Sequence, residues 1–190
     1  GEEAGAPLVK HENVDVISFT GSTLVGKWIA ETAGKRLAKV SLELGGKNPL
    51  VVCDDAEIDN AVNWVCLSAF SNAGQRCSSG SRIIIFESVY EEFKKRLLMA
   101  TKKLSIGPND EDDLGPVINE RQLNNMLTAI NGAKIAGASV LIGGGRLEEK
   151  KYKNGFYIQP TILEGVKPED DISKNELFGP IAILYSVSNF

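Results

Sequence analysis

The chain has 190 residues, room for one domain and part of another, and with 43% hydrophobic and 24% charged residues it reads as an ordinary soluble globular protein. A net charge of −4 leaves no basic footprint for nucleic acid, and no apolar run suits a membrane span or a signal segment. One histidine and three cysteines supply neither a metal site, nor a disulfide framework, nor an ordinary Cys–His pair. Chemistry must therefore come from carboxylates, thiols, glycines and a borrowed cofactor, in a reducing compartment such as the cytoplasm.

The chain opens on Gly1 rather than Met and ends shortly after an apolar run at 181–185, with no tapering polar tail at either end. This points to a piece of something longer. Residues 14–19 are apolar and β-branched, a strand, and pass through Thr20-Gly21-Ser22-Thr23 into a helix over about 24–37. Residues 39–44 form the next strand, broken by Gly45-Gly46. The continuous apolar run 49–53 predicts a strand buried on both faces of a parallel sheet. Asp54 and Glu57 have the spacing of a capping box, opening a helix to about Ser71 with Ile58, Ala61, Val62, Val65 and Ala69 on one face. Asn72-Ala73-Gly74 stops it.

Residues 82–86 are a strand; Ser88 and Glu91 are placed to cap the next helix, lined by Phe93, Leu97, Ala100 and Leu104. Residues 107–113 form an acidic surface loop. Asn119 with Gln122 starts a helix that turns Leu123, Met126, Leu127, Ile130 and Ala133 inward. A strand over 138–142 ends in Gly143-Gly144-Gly145, a surface turn, and 156–163 is extended, with Pro160 assigning part of it to a sheet edge. The charge runs at 94–96 and 148–151 read as solvated surface. Strands alternating with helices indicate an α/β fold, a mostly parallel sheet flanked by helices.

Four segments have chemical potential. In Phe19-Thr20-Gly21-Ser22-Thr23 a strand ends where a helix begins, so Gly21 permits close backbone approach and the first-turn N–H groups favour an anion such as a pyrophosphate. Taken alone, the segment is better explained by ordinary capping by Ser22 or Thr23. In Leu42-Glu43-Leu44-Gly45-Gly46-Lys47, Glu43 closes an apolar strand at its C-terminal end, where α/β folds bind ligands. Leucine neighbours would strip water from its carboxylate, as suits a general base; pairing with Lys39 or Lys47 is the alternative. Cys53 and Cys66 sit in apolar patterns as inert core thiols, whereas Cys77 lies in the glycine-flanked loop Gly74-Gln75-Arg76-Cys77-Ser78-Ser79-Gly80 beside Arg76. Glu176-Leu177-Phe178-Gly179-Pro180 leads into the last strand and, in isolation, is a polar turn.

Taken together and in this order, these four segments resemble the aldehyde dehydrogenase superfamily along the whole chain, with the interval between Glu43 and Cys77 fitting as well. The resemblance implies a remnant of a Rossmann-like cofactor domain at 1–44 and a catalytic domain, incomplete at its C-terminus, at 45–190. It implies that Cys77 attacks an aldehyde to form a thiohemiacetal, that oxidation by NAD or NADP leaves a thioester, and that Glu43 activates the water that hydrolyses it. The Cys77 backbone N–H would form half of an oxyanion hole. Gly21 and Ser22 would lie at the cofactor phosphates, Leu44 and Gly45 near the nicotinamide, Glu176 at its ribose and Phe178 beside its ring. No metal is implied.

The presence of Glu43 favours hydrolytic oxidation over the CoA-acylating branch; a non-catalytic scaffold of the same fold is the rival from another class. A thiol hydrolase would need a histidine partner for Cys77. Family enzymes are longer, and the resemblance places outside this chain an oxyanion-hole Asn, a ribose-binding Lys and the segments used to assemble homo-oligomers. The 190-residue piece alone is therefore expected to be inactive.

Overall fold

The computed structural model describes residues 1–189, and the chain divides into two compact units, Gly1–Gly46 and a second that begins at Lys47. The first contains α1 (Gly5–Lys10), β1 (Val16–Thr20), α2 (Thr23–Gly34) and β2 (Lys39–Glu43). β1 and β2 pair in parallel, from Val16 opposite Lys39 to Thr20 opposite Glu43. Parallel neighbours require a crossover, and α2 is that crossover. It buries Gly26, Ile29 and Ala33, spaced three and four residues apart on one face.

The helix ends three residues earlier than its pattern suggests. Leu37 takes a positive φ of 59°, and the N–H groups of Leu37 and Ala38 return to the carbonyls of Gly34 and Ala33 at 3.2 and 3.1 Å. Arg36 then donates to the carbonyls of Val14 and Val9, tying the entry of β1 to the end of α1. At six residues, α1 is too short to express a helical period and is not visible in the sequence pattern.

The second unit runs β3 (Asn48–Val52), α3 (Ile58–Phe70), β4 (Gly80–Phe86), α4 (Glu87–Thr101), α5 (Glu120–Ile135), β5 (Ser139–Ile142), β6 (Thr161–Glu164), α6 (Asp171–Lys174) and β7 (Ile181–Val187). Its sheet has the order β3-β4-β7-β6-β5, parallel throughout except that β5 runs antiparallel to β6. This is the mostly parallel α/β architecture expected. The last strand in sequence, β7, takes the central position, and Ile181 to Leu184 are all buried. Strand alternation feeds two cores. Ile83, Ile85, Ala182 and Leu184 pack with Val65 and Phe70 of α3 and Phe93 and Leu97 of α4. Ile181, Ile183 and Leu163 pack with Leu123, Met126 and Ile130 of α5.

Several local expectations are corrected. β3 is an edge strand, and only Leu50 and Val52 face the core; Val51 is 45% exposed. Asp54 and Glu57 do not form a capping box, because 54–56 are spent turning the chain and α3 starts only at Ile58, with no side-chain cap from Glu57. Ser88 lies inside the first turn of α4, which follows β4 without a loop and has Phe86 at its N-cap. Asn119 does cap α5, its Oδ1 accepting the Gln122 N–H at 2.8 Å. Pro160 precedes β6, an interior strand, and β5 takes the edge instead; outside the ladder, its missing N–H breaks no pairing.

The run at 94–96 is not wholly solvated: the Lys94 side chain is 18% exposed and reaches Glu91 at 2.8 Å and Glu164 at 2.9 Å. The acidic loop folds on its own carboxylates, with Asp113 accepting from the Ser105 N–H at 2.8 Å and Asp112 from that of Asn109 at 3.0 Å. Among the described residues no helix is long and apolar enough to cross a membrane.

Candidate active site

In the first unit the candidate residues gather at the C-terminal ends of the two strands. The Gly21 N–H donates to the Glu43 carbonyl at 3.0 Å, so the turn after β1 is stitched to the end of β2. Ser22 caps α2, its Oγ accepting the Val25 N–H at 3.4 Å, which realises the capping reading of that segment. Leu44 packs on Gly26 so closely that a Cβ there would lie 2.4 Å from its side chain. Beside the start of α2 an apolar cleft of about 580 Å³ is lined by Val9, Phe19, Leu24, Val25 and Trp28 among others. Sequence reasoning did not find it, because α1 supplies one wall. Glu43 itself is exposed, not shielded by its leucine neighbours, and no ion pair joins it to Lys39 among the described residues. Strand alternation explains the exposure, since Leu42, the half-buried residue of β2, occupies the opposite face from Glu43.

In the second unit the candidates gather at the opposite ends of the strands. Lys47 and Asn48 open β3, Cys77 stands three residues before Gly80 opens β4, and Pro180 immediately precedes β7. These three strands are parallel, so all three entries lie along the N-terminal edge of the sheet. Glu43 thus closes a strand of one sheet, and Cys77 precedes a strand of the other.

The loop before Cys77 begins with three consecutive residues of positive φ, Asn72 (53°), Ala73 (51°) and Gly74 (65°). Only Gly takes this conformation without strain and Asn tolerates it, so the turn is held by its surroundings. Gln75 is the anchor on that side. Its Oε1 accepts the Ile118 N–H at 2.9 Å, and its Nε2 donates to the carbonyls of Pro116 and Asn72, both at 3.3 Å. On the far side Asn48 Nδ2 donates to the carbonyls of Cys77 at 2.6 Å and Ser79 at 3.1 Å, and the Gly80 N–H donates to Ser68 Oγ at 2.9 Å. Cys77 is exposed between these fastenings, whereas Cys53 and Cys66 are half-buried. Burial pushes the Cys66 thiol above its ordinary pKa, opposed by a hydrogen bond with Thr101.

The loop of Glu176 and Phe178 is brought against the Cys77 loop. A Cβ on Gly74 would lie 2.3 Å from the Gly179 carbonyl oxygen, and one on Gly179 would lie 2.4 Å from Met126 Sδ. Gln122 donates to the Leu177 carbonyl, and Phe178, 40% exposed, has a positive φ of 50°. Lys47 completes the group, its carbonyl accepting from Arg82 Nε at 2.9 Å. Burial, and then the Arg82 charge, pull the Lys47 ammonium down to about 8, while the Glu176 carboxylate acts in the other direction. Asn48 was not read from sequence, because a polar residue before a proline looks like an ordinary turn, and Lys47 entered only as an alternative partner for Glu43. No group of three or more His, Cys, Asp or Glu among the described residues could hold a metal ion.

The aldehyde dehydrogenase family model matches residues 1–190. The chain belongs to the aldehyde dehydrogenase family. It is 44% identical over 191 residues to the alpha-ketoglutaric semialdehyde dehydrogenase of Bacillus subtilis (strain 168), covering 100% of this chain and 39% of that protein. It is also 44% identical over 191 residues to aminoaldehyde dehydrogenase 1, peroxisomal, of Malus domestica, covering 100% of this chain and 38% of that one. A solved betaine aldehyde dehydrogenase from Staphylococcus aureus, in complex with NAD+, superposes with a TM-score of 0.96 at 33% identity, over 100% of this chain and 39% of its own. This aldehyde dehydrogenase chain therefore spans about two fifths of the length of the relatives it matches.

Proposed function

We propose that this chain is part of an enzyme that oxidises an aldehyde to a carboxylic acid with NAD or NADP, with Cys77 as nucleophile and Glu43 as general base. The observation that carries the reading is the state of Cys77: an exposed thiol on a loop pinned through Gln75 on one side and Asn48 on the other. A fixed, accessible sulfur suits covalent catalysis, which replaces one difficult displacement by two easier ones.

The first unit fits a dinucleotide. Its apolar cleft at Trp28 and Leu24 suits a flat ring, the start of α2 at Gly21 and Ser22 suits phosphates, and Leu44 and Gly45 follow β2 where the nicotinamide would lie. Glu176 would bind the nicotinamide ribose through its carboxylate, with the exposed Phe178 ring alongside. When bound, the cofactor supplies a two-electron acceptor. Cys77 attacks the carbonyl carbon, its own backbone N–H donating to the oxygen as negative charge develops there. After oxidation Cys77 carries the acyl group as a thioester. Glu43 takes a proton from the water that attacks this thioester, releasing the acid and returning the thiolate.

The reading extends to the protein as a whole: an aldehyde substrate, no nucleic-acid or membrane partner, a homo-oligomer, and a cytoplasmic location that three unpaired thiols support. The 190-residue stretch by itself is inactive in this reading, because the family resemblance places outside it the upstream part of the cofactor domain, needed for binding, and a second oxyanion donor, whose loss raises a barrier by about 2.7–4 kcal/mol. The test uses the full-length protein and a panel of propanal, glycolaldehyde and 4-aminobutanal with each cofactor. Cys77→Ser should abolish turnover, and Glu43→Gln should permit one round of reduction while leaving an acyl adduct on Cys77 by mass spectrometry. Full turnover in either variant refutes the assignment.

A further inference from the structure

We propose that Asn48 is a positioning residue for Cys77, fixing the peptide planes that follow Cys77 and Ser79 and with them the direction of the Cys77 side chain. The inference rests on the reading of Cys77 as nucleophile. Its basis is a pair of hydrogen bonds from one amide: Asn48 Nδ2 donates to the Cys77 carbonyl at 2.6 Å and to the Ser79 carbonyl at 3.1 Å. A carboxamide nitrogen has two hydrogens, one for each acceptor.

The reason a side chain does this lies in the next residue. Asn48 pairs with Gly80 and Pro49 with Arg82, so the β3–β4 ladder shifts register between Asn48 and Pro49. Pro49 has no N–H to offer a neighbouring strand. The Cys77 and Ser79 carbonyls lie ahead of β4, outside the paired register, and there the Asn48 side-chain amide serves as the donor for both.

The other fastenings act at a distance from the sulfur. Gln75 holds the chain two residues before Cys77, and Ser68 holds it three residues after, at Gly80. Asn48 bonds the carbonyl of Cys77 itself, which sets ψ at that residue, and backbone conformation decides which side-chain rotamers are open to a thiol. Asn48 sits on the rigid strand β3, and Arg82 on β4 clamps the preceding carbonyl of Lys47 at 2.9 Å. The nucleophile is thus referenced to the sheet, not to its own loop.

The experiment compares wild-type, Asn48→Leu, Asn48→Ser and Cys77→Ser forms of the full-length dehydrogenase, using an aldehyde from the same panel that the wild type turns over. Leu preserves the shape of Asn without donors; Ser is smaller and too short to reach both carbonyls. Expected for both Asn48 variants is a kcat lowered about 10- to 100-fold, the scale of a misplaced reacting group, with KM changed less than about twofold. Iodoacetamide labelling should change in rate at Cys77 while Cys53 and Cys66 label as in wild type, an effect that general loosening would not produce. Wild-type kcat in a cooperatively melting Asn48 variant overturns the proposal, and so does loss of cooperative melting in both, which would make Asn48 a fold residue only. Retained turnover in Cys77→Ser instead sinks the nucleophile reading, whatever Asn48 does.

Discussion

Gly74 and Gly179 meet backbone to backbone: a Cβ on Gly74 would lie 2.3 Å from the Gly179 carbonyl oxygen and 2.8 Å from the Pro180 nitrogen. The loop that carries Cys77 and the loop that carries Glu176 and Phe178 therefore cannot move independently at this point. Neither contact atom is the end of a flexible side chain, so there is nothing to swing aside.

Gly74→Ala should accordingly destabilise the second unit by about 2–4 kcal/mol, combining a left-handed conformation forced on a Cβ with overpacking against backbone. Gly132, in α5 with open space around its Cα, is the control, and Gly132→Ala should stabilise by about 0.5–1 kcal/mol. Urea unfolding of both variants checks the pair. Equal effects would mean that the close approach is unimportant.

Lys47 should titrate near pH 8. Because its ammonium is disfavoured in the fold, the unfolded chain binds more protons between pH 8 and the ordinary lysine value of 10.5. Its contribution to stability therefore improves as pH rises through that window, and the penalty is complete below it. Glu176→Gln should lower the Lys47 pKa further, and Arg82→Gln should raise it. NMR titration of ¹³C-dimethylated lysines reads all three directly, and a Lys47 resonance moving only above pH 10 would contradict the burial argument.

Glu164 ties α4 to β6. Tyr90 donates to its Oε1 at 2.5 Å and Lys94 at 2.9 Å, and the Lys94 ammonium lies 4.9 Å from the Tyr90 ring centre. The Tyr90 hydrogen bond, then Lys94, hold the Glu164 carboxyl below its usual range, against the opposing effect of burial. The stability this contributes is present above the ordinary carboxylate pKa of 4.5 and is lost as pH falls through the lower folded value. Glu164→Gln should cost about 1–2 kcal/mol at pH 7, and the gap from wild type should narrow below about pH 4. Denaturation curves at a series of pH values test this; a gap independent of pH would point to shape, not charge.

Much of the architecture was legible because it is written in short-range patterns. The stripe Leu123, Met126, Ile130 and Ala133 and the Asn119 cap define α5 within one stretch of chain, and both are realised. The Asp54 and Glu57 pattern failed for the converse reason: spacing suits a cap, but the turn out of β3 uses those residues first. Exposure of Val51 and the interior place of β6 depend on strand order, which no local period encodes.

Residue order alone carries the alternation of strands and helices, the family through four ordered motifs, and Cys77 as the cysteine outside an apolar pattern. Tertiary structure alone decided that β7 lies at the centre of its sheet, that Cys77 stands at the N-terminal edge of that sheet, and that Asn48 and Gln75 hold its loop. The physical reason is range. Periodicity, caps and motifs act over a few residues, whereas the bonds from Asn48 to Cys77 and from Ile118 to Gln75 join positions 29 and 43 residues apart, and such partners are chosen only when the sheet assembles.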